Sequence, residues 1–315
     1  MPKISIIVPI YKENVTHLKV AIESIQAQTL IDIEIICVLD GTSDNLEKYF
    51  ERVIETDCRI KLLRQKNKGA GSARNLAIKH STGEYIAFMD SDDYYPDPLV
   101  LENLYSIAEK TGLKIVGGKA LFENKSGLEP PFWFFKNYEN LFKNQVAHFK
   151  DYQICWGYWC FIYERKFIKE NNIYFPNYRR YQDPPWFLRA LNTAKIYYAA
   201  DIVTYIHREG QNQNWLSSNK KLSDHFKGII DVLRYSAKHD LKDLHFFIYK
   251  KFLTHDEKLL YNFRSTLFAN KKRIINDILK SVDKNIIKKC DNTFPYFRNY
   301  DEYSRFRDQY QLIDH

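Results

Sequence analysis

Four short apolar runs, each followed by a polar loop and then by helical spacing, constrain this chain more than any other feature. Residues 4–9, 33–39 and 60–63 are rich in Ile, Val and Leu, and 85–89 read Tyr-Ile-Ala-Phe-Met. A strand covered on both faces reads in this way, as a continuous apolar run. After the first run Leu18, Ala21, Ile22 and Ile25 recur at helical spacing, with Thr16 expected as the cap. Residues 70–79 predict a helix ended by Ser81-Thr82-Gly83. Residues 97–110 predict another, closed by Gly112, and 114–117 start a further strand. This βαβα order predicts an α/β fold of Rossmann-like type, a mostly parallel sheet flanked by helices.

Beyond residue 117 the pattern loosens. Residues 118–150 are aromatic-rich, with Pro130-Pro131 and Phe132-Trp133-Phe134-Phe135, and 151–215 mix short strands and loops. From about residue 220 three apolar stripes recur at helical spacing. They are Leu222, Phe226, Ile229, Ile230 and Leu233; Leu259, Leu260, Phe263 and Leu267; and Ile274, Ile275, Ile278, Leu279 and Val282. The expected organisation is an α/β domain over 1–215, with a nucleotide-binding half (1–117) and an acceptor half (118–215). A small helical region over 216–315 follows.

Charge divides at the same place. Residues 216–315 hold 20 Lys and Arg against 13 Asp and Glu, while 1–215 hold 27 against 26. The basic character therefore belongs to the helical region and suggests an anionic partner there. No stretch approaches the roughly 20 apolar residues of a membrane span. Cys37, Cys58, Cys155, Cys160 and Cys290 form no Cys-x-x-Cys. Reduced thiols in a cytoplasmic protein are the simplest expectation.

In open α/β sheets, ligands bind beyond the carboxyl ends of the strands. That rule selects Pro9-Ile10-Tyr11-Lys12-Glu13, Asp40-Gly41-Thr42-Ser43-Asp44 and Asp90-Ser91-Asp92-Asp93. Three carboxylates within four residues repel one another, and a hard divalent cation offsets that repulsion. A solvated acidic loop or a helix cap would show the same residues. Between the third and fourth runs, Asn67-Lys68-Gly69 precedes Ala73-Arg74-Asn75. Gly69 allows close backbone approach, and Arg74 can reach a phosphate or the acidic loop. Tyr11 can stack on a base, and Asp40 can accept a hydrogen bond from one.

Taken together, these motifs resemble the inverting family-two glycosyltransferases of the GT-A fold, of bacterial polysaccharide type. The matching residues run in family order from Ser5-Ile6-Ile7-Val8-Pro9 through Gly83-Glu84-Tyr85 to Asp93, with a weaker match to about residue 215. The resemblance implies a nucleoside-diphosphate sugar donor, most often UDP-linked. Pro9, Tyr11, Glu13, Asp40, Lys68, Gly69, Arg74, Asp90, Ser91 and Asp92 would line its site. A Mn²⁺ or Mg²⁺ ion would sit on Asp92 and Asp90. A late His completes some such metal sites, and His207 holds that position, though a lone His is as readily structural. The family's catalytic base falls on Asp183, within Tyr181-Gln182-Asp183-Pro184-Pro185, where Gln182 replaces the usual acid. Asp-Pro-Pro equally suits a plain helix start.

Trp156, Trp186 and Asp93 are the candidates for the acceptor side; a packed aromatic core would also gather these tryptophans. The acceptor implied is a saccharide or lipid-linked saccharide. Lys271-Lys272-Arg273 and Lys288-Lys289 would touch anionic lipid at the inner face of the plasma membrane, or simply form a solvated helical face. No nucleic-acid partner is expected, because the charge avoids the motif-bearing part and no binding motif is present. A pyrophosphorylase would need a Gly-rich basic loop after the first strand, which Pro9-Ile10-Tyr11 is not. The remaining alternative is a catalytically impaired relative that binds carbohydrate or nucleotide-sugar.

Overall fold

The computed structural model describes residues 1–41, 44–130, 138–209, 218–260 and 268–309. Thr42, Ser43, Pro131 to Phe135, Phe263 and Leu267 lie outside the described residues. The chain forms two compact units: Met1–Asn177 with Trp186–Gln213, and Tyr178–Pro185 with Asn214–His315.

The first unit is a sheet with helices. Its elements are β1 (Ile4–Ile10), α1 (Val15–Gln26), β2 (Ile33–Asp40), α2 (Asp44–Thr56), β3 (Ile60–Gln65), α3 (Ala70–His80), β4 (Tyr85–Phe88) and α4 (Val100–Thr111). There follow β5 (Ile115–Asn124), β6 (Gly127–Glu129), α5 (Tyr138–Leu141), β7 (Gln145–His148), β8 (Phe161–Glu164), α6 (Arg165–Glu170), α7 (Asp183–Ala194) and β9 (Ile196–Arg208). The first three residues of α7 group with the second unit.

The strand order is β3-β2-β1-β4-β8-β5-β9-β7, with β6 beside β5. β3, β2, β1 and β4 pair in parallel. β8 then enters antiparallel between β4 and β5, and β9 pairs parallel to β5. Six strands thus run one way, β1 to β5 and β9. The mostly parallel α/β class holds, with one refinement: β5 is not the direct neighbour of β4. Hydrophobic period reveals that a strand exists but not which strand it pairs with. β1 and β2 are buried along their whole length, as their unbroken apolar runs require.

Local chemistry moves two helix starts. Asn14, not Thr16, caps α1: its side chain accepts from the Thr16 N–H at 2.8 Å. α4 begins at Val100 rather than Asp97. Asp97 precedes Pro98, which disfavours helical geometry there, and its carboxylate instead accepts from Leu99 N–H at 2.7 Å. Gly112 closes α4 in the left-handed region at φ 65°. α2 was invisible to apolar spacing, because few of its positions beyond Leu46 and Phe50 are buried.

A buried carboxylate ties the amino ends of the central strands together. Glu34 on β2 is 2% exposed. It accepts from Ser5 Oγ (2.5 Å), Lys61 Nζ (2.5 Å), Thr82 N–H (2.6 Å) and Gly83 N–H (3.1 Å). Burial alone would raise its pKa, but these donors outweigh burial and lower it to about 2.

The second unit holds α8 (Asn219–Lys238), α9 (Lys242–Thr254), α10 (Phe268–Leu279), α11 (Lys284–Cys290) and α12 (Tyr300–Gln309). The first and third stripes fall on α8 and α10, whose Leu222, Phe226, Ile229 and Leu233, and Ile274, Ile275, Ile278 and Leu279, are buried. The second does not make a helix where it is described; Leu259 and Leu260 end a 3₁₀ turn, Asp256–Leu260. α9 supplies that layer instead, through Leu244, Ile248, Tyr249 and Phe252. His245 of α9 is fully buried. Its Nε2 accepts from Asp283 N–H (2.9 Å), which puts its proton on Nδ1, beside Ser236 Oγ and Leu233 O. Burial lowers its pKa to about 4, so the ring is neutral. No helix of the described residues is long and apolar enough to cross a membrane.

Candidate nucleotide-sugar site

Three loops meet at the carboxyl ends of β1, β2 and β4, all within the first unit. Asp40, the last residue of β2, is 2% exposed. Its carboxylate accepts from Gln65 Nε2 and from the N–H groups of Lys68 and Gly69, each at 2.7 Å. Asp40 therefore holds the loop that leads from β3 into α3, and Lys68 extends exposed from that loop. The approach is close: a Cβ on Gly41, at φ 74°, would stand 3.0 Å from Asn67 Cβ. Gly69 starts α3 at φ 95°, where a side chain would be strained.

The loop after β1 carries Pro9, buried in the strand, and Tyr11, 46% exposed. Lys12 takes a left-handed turn at φ 49° and sets its Nζ over the Tyr11 ring. Glu13 reaches across to the acidic turn, where its Oε2 accepts from Ser91 Oγ at 3.0 Å.

Arg74, on α3, is 3% exposed. Its Nη2 donates to Asp90 Oδ1 at 2.5 Å, and its guanidinium lies 5.2 Å from the ring centre of Tyr158 and 5.4 Å from that of Phe175. The aromatic faces pack against the guanidinium and keep it buried, while Asp90 stays part-exposed. Sequence reasoning placed Arg74 near this turn but missed Tyr158 and Phe175 as its walls.

The acidic turn is held from β9. The Asp93 N–H bonds Asp90 O at 3.1 Å. Asp93 is fully buried. It accepts from Tyr205 Oη (2.8 Å) and Arg208 N–H (2.8 Å), and His207 Nδ1 lies 3.1 Å away. Tyr205 Oη also accepts from Asp90 N–H at 3.0 Å. Arg208 Nη1 donates to Asp92 O at 3.2 Å. Asp92 itself has no ion pair among the described residues. Burial, then the charges of Asp93, Asp90 and Glu13, raise its pKa to about 8, against a small opposing effect of His207.

Burial opposes charge on His207 as well. The Asp93 carboxylate outweighs it, with help from Asp90 and Asp92, and raises that pKa to about 9. The ring stacks on Trp159 at 6° and 5.7 Å, and Trp159 stacks in turn on Tyr205 at 4.4 Å. The spacing that could have flagged this is period two: Tyr205 and His207 share one face of β9.

Two acceptor assignments are corrected. Asp93 has no exposed surface and is committed to β9, so it cannot meet an acceptor. Trp186 is also fully buried. It stacks on Phe175 at 2° and 4.6 Å and donates its Nε1–H to Ile173 O. Trp156 is part-buried, and Trp159 is the part-exposed aromatic beside the acidic turn. Asp183 opens α7, as Asp-Pro-Pro suits, and belongs to the second unit with the buried Gln182.

A divalent cation suits Asp92. The cause lies in this turn: a carboxylate crowded by other acids with no cation of its own. Among the described residues no three His, Cys, Asp or Glu side chains form a ready-made cage. Asp90 is shared with Arg74, and His207 turns its Nδ1 to Asp93. The donor set therefore fits an ion held by one or two carboxylates, completed by phosphate oxygens and water, as Mg²⁺ and Mn²⁺ often are.

A family model described as glycosyl transferase family 2 matches residues 5–171. Over 217 residues the chain is 33% identical to the uncharacterized glycosyltransferase EpsJ of Bacillus subtilis (strain 168), covering 67% of this chain and 62% of that relative, less than two thirds of its length. It is 30% identical over 253 residues to glycosyltransferase GlyG of Streptococcus pneumoniae, covering 73% and 82%. The fold is similar to that of S. aureus TarS 1-349 in complex with UDP-GlcNAc, with a TM-score of 0.74 at 19% identity, over 90% of this chain and 82% of that one. It is also similar to the mannosyltransferase PcManGT from Pyrobaculum calidifontis in complex with GDP-Man and Mn²⁺, with a TM-score of 0.57 at 12% identity, over 99% and 80%.

Proposed function

This chain belongs to glycosyl transferase family 2, and we propose that it transfers a sugar, with inversion, from a UDP-linked donor to a hydroxyl of a saccharide or lipid-linked saccharide. The observation that carries the reading is Asp92, an acid with no ion pair among the described residues, in a turn that Arg74 and β9 hold rigid. Such a turn matches a diphosphate brought in with a divalent cation. Asp40 has three donors on a carboxylate that can accept about four hydrogen bonds, so one position remains for a base N–H. Tyr11 offers an exposed ring for stacking beside it.

In this reading Asp92 and Asp90 hold the Mn²⁺ or Mg²⁺, which supplies charge stabilisation as the diphosphate leaves. His207, whose Nδ1 faces Asp93, would join them only through Nε2 and in its neutral form. Lys68, extended from the loop that Asp40 orders, adds positive charge beside the phosphates. Asp183 takes the proton of the attacking hydroxyl, an assignment that rests on its place in the motif. The test is UDP release from UDP-sugars by purified protein with Mn²⁺ and a saccharide acceptor. Turnover by Asp183→Asn at the wild-type rate removes the base assignment, and transfer unaffected by exhaustive chelation removes the cation.

A further inference from the structure

One hydroxyl connects both ends of the acidic turn. Tyr205 Oη accepts the Asp90 N–H at 3.0 Å and donates to Asp93 Oδ2 at 2.8 Å, so the two residues between them, Ser91 and Asp92, are bracketed. Tyr205 has no exposed surface. Its ring is fixed by the Trp159 stack at 4.4 Å and by an edge contact with Tyr95 at 6.4 Å. The hydroxyl is thus delivered by a rigid strand, not by a mobile side chain. Arg208 secures the same turn from three positions further along the strand, through its N–H to Asp93 and its guanidinium to the Asp92 carbonyl.

We propose that Tyr205 is a positioning residue for Asp92: it presets the backbone of the acidic turn so that cation and nucleotide diphosphate meet an ordered carboxylate. The inference rests on the donor-site reading above. Its physical basis is preorganisation. A turn that must order on binding lowers the apparent affinity by the fraction of time it is ordered, and a buried hydrogen-bond bracket removes that cost. The residue touches neither ligand in this account. Its effect therefore appears in nucleotide and cation binding, before any acceptor is present.

The experiment is calorimetric titration of UDP into the purified full chain across a Mn²⁺ series. Wild type is compared with Tyr205→Phe, which keeps the ring stack and removes only the hydroxyl, and with Asp93→Asn, which weakens the bracket from its other end. The expected result is UDP affinity about tenfold weaker in both variants, corresponding to roughly one kept or lost hydrogen bond. The Mn²⁺ concentration for half-maximal UDP binding should rise as well. Ser5→Ala is the stability control. It removes a buried hydrogen bond to Glu34 at the opposite ends of the strands, and it should lower the melting temperature while leaving UDP affinity and Mn²⁺ dependence unchanged. Wild-type affinity and Mn²⁺ dependence in either folded variant would overturn the assignment. So would an equal loss of affinity in Ser5→Ala, which would mark the effect as general destabilisation. If wild type itself binds no UDP with Mn²⁺, the donor-site reading fails first, so the two failures are told apart.

Discussion

Two carboxylates of the first unit, Glu34 on β2 and Asp92 in the turn after β4, respond to pH in opposite senses. Glu34 is depressed to about 2 from 4.5 by the donors around it. Its stabilisation is complete above 4.5 and is lost as pH falls toward 2. Glu34→Gln should therefore cost about 2–3 kcal/mol at neutral pH and only about 1 kcal/mol at pH 2.5, read by denaturant unfolding at both values. Asp92 is raised to about 8 and His207 to about 9. Both native groups hold protons that the unfolded chain releases, so stability without metal should fall as pH rises from 6.5 to 9. Cation binding requires the ionised Asp92, so Mn²⁺ affinity should rise over the same range. Melting temperatures with and without Mn²⁺ at pH 6.5 and 8.5 check this: the metal-induced increase should be larger at pH 8.5. Asp92→Asn should shrink the metal-induced increase at both pH values, leaving the pH response that belongs to His207, and reduce UDP binding with Mn²⁺ by tenfold or more. An unchanged response in Asp92→Asn would exclude the cation from this turn.

At the scale of elements, the motif-bearing loops were legible because each follows an unbroken apolar strand. Tyr11, Asp40 and Asp90 to Asp93 all lie where the strand-end rule puts them. Their partners were not legible. Tyr205, Tyr158 and Phe175 reach the turn through strand insertion and long-range pairing, which no local period encodes. Asp93 and Trp186 look like surface chemistry in sequence and are core in fact, because burial depends on what packs over a residue. Helix starts were misread for a local reason: Asn14 and Thr16 are both good caps, and only geometry decides between them. The difference is measurable. Asn14→Ala should cost about 1 kcal/mol in chemical denaturation, the usual loss for a side-chain cap, and Thr16→Ala only a few tenths. Equal losses would show that the cap is shared.

Across the whole molecule, charge is unevenly divided. The helical region carries 20 basic against 13 acidic residues, yet its basic clusters are not equivalent. Lys271 is 6% exposed, and Lys272 is paired with Asp301 at 3.0 Å and lies over Tyr300. These lysines are committed within their own unit. Lys284, Lys288 and Lys289 of α11 are exposed, and none has a carboxylate partner among the described residues. If the proposed lipid-linked acceptor brings the enzyme to an anionic surface, α11 is the face that meets it. Each lysine near such a surface contributes about 1 kcal/mol, within a Debye length of about 8 Å at physiological salt. Lys288→Gln with Lys289→Gln should therefore weaken binding to phosphatidylglycerol vesicles about tenfold to thirtyfold in a pelleting assay. Neutral vesicles should bind neither form, and added salt should release the wild type. Lys271→Gln should instead lower the melting temperature, because that side chain is buried. Wild-type binding to anionic vesicles by the α11 variant would move the contact elsewhere, and equal binding to neutral vesicles would remove charge as its cause.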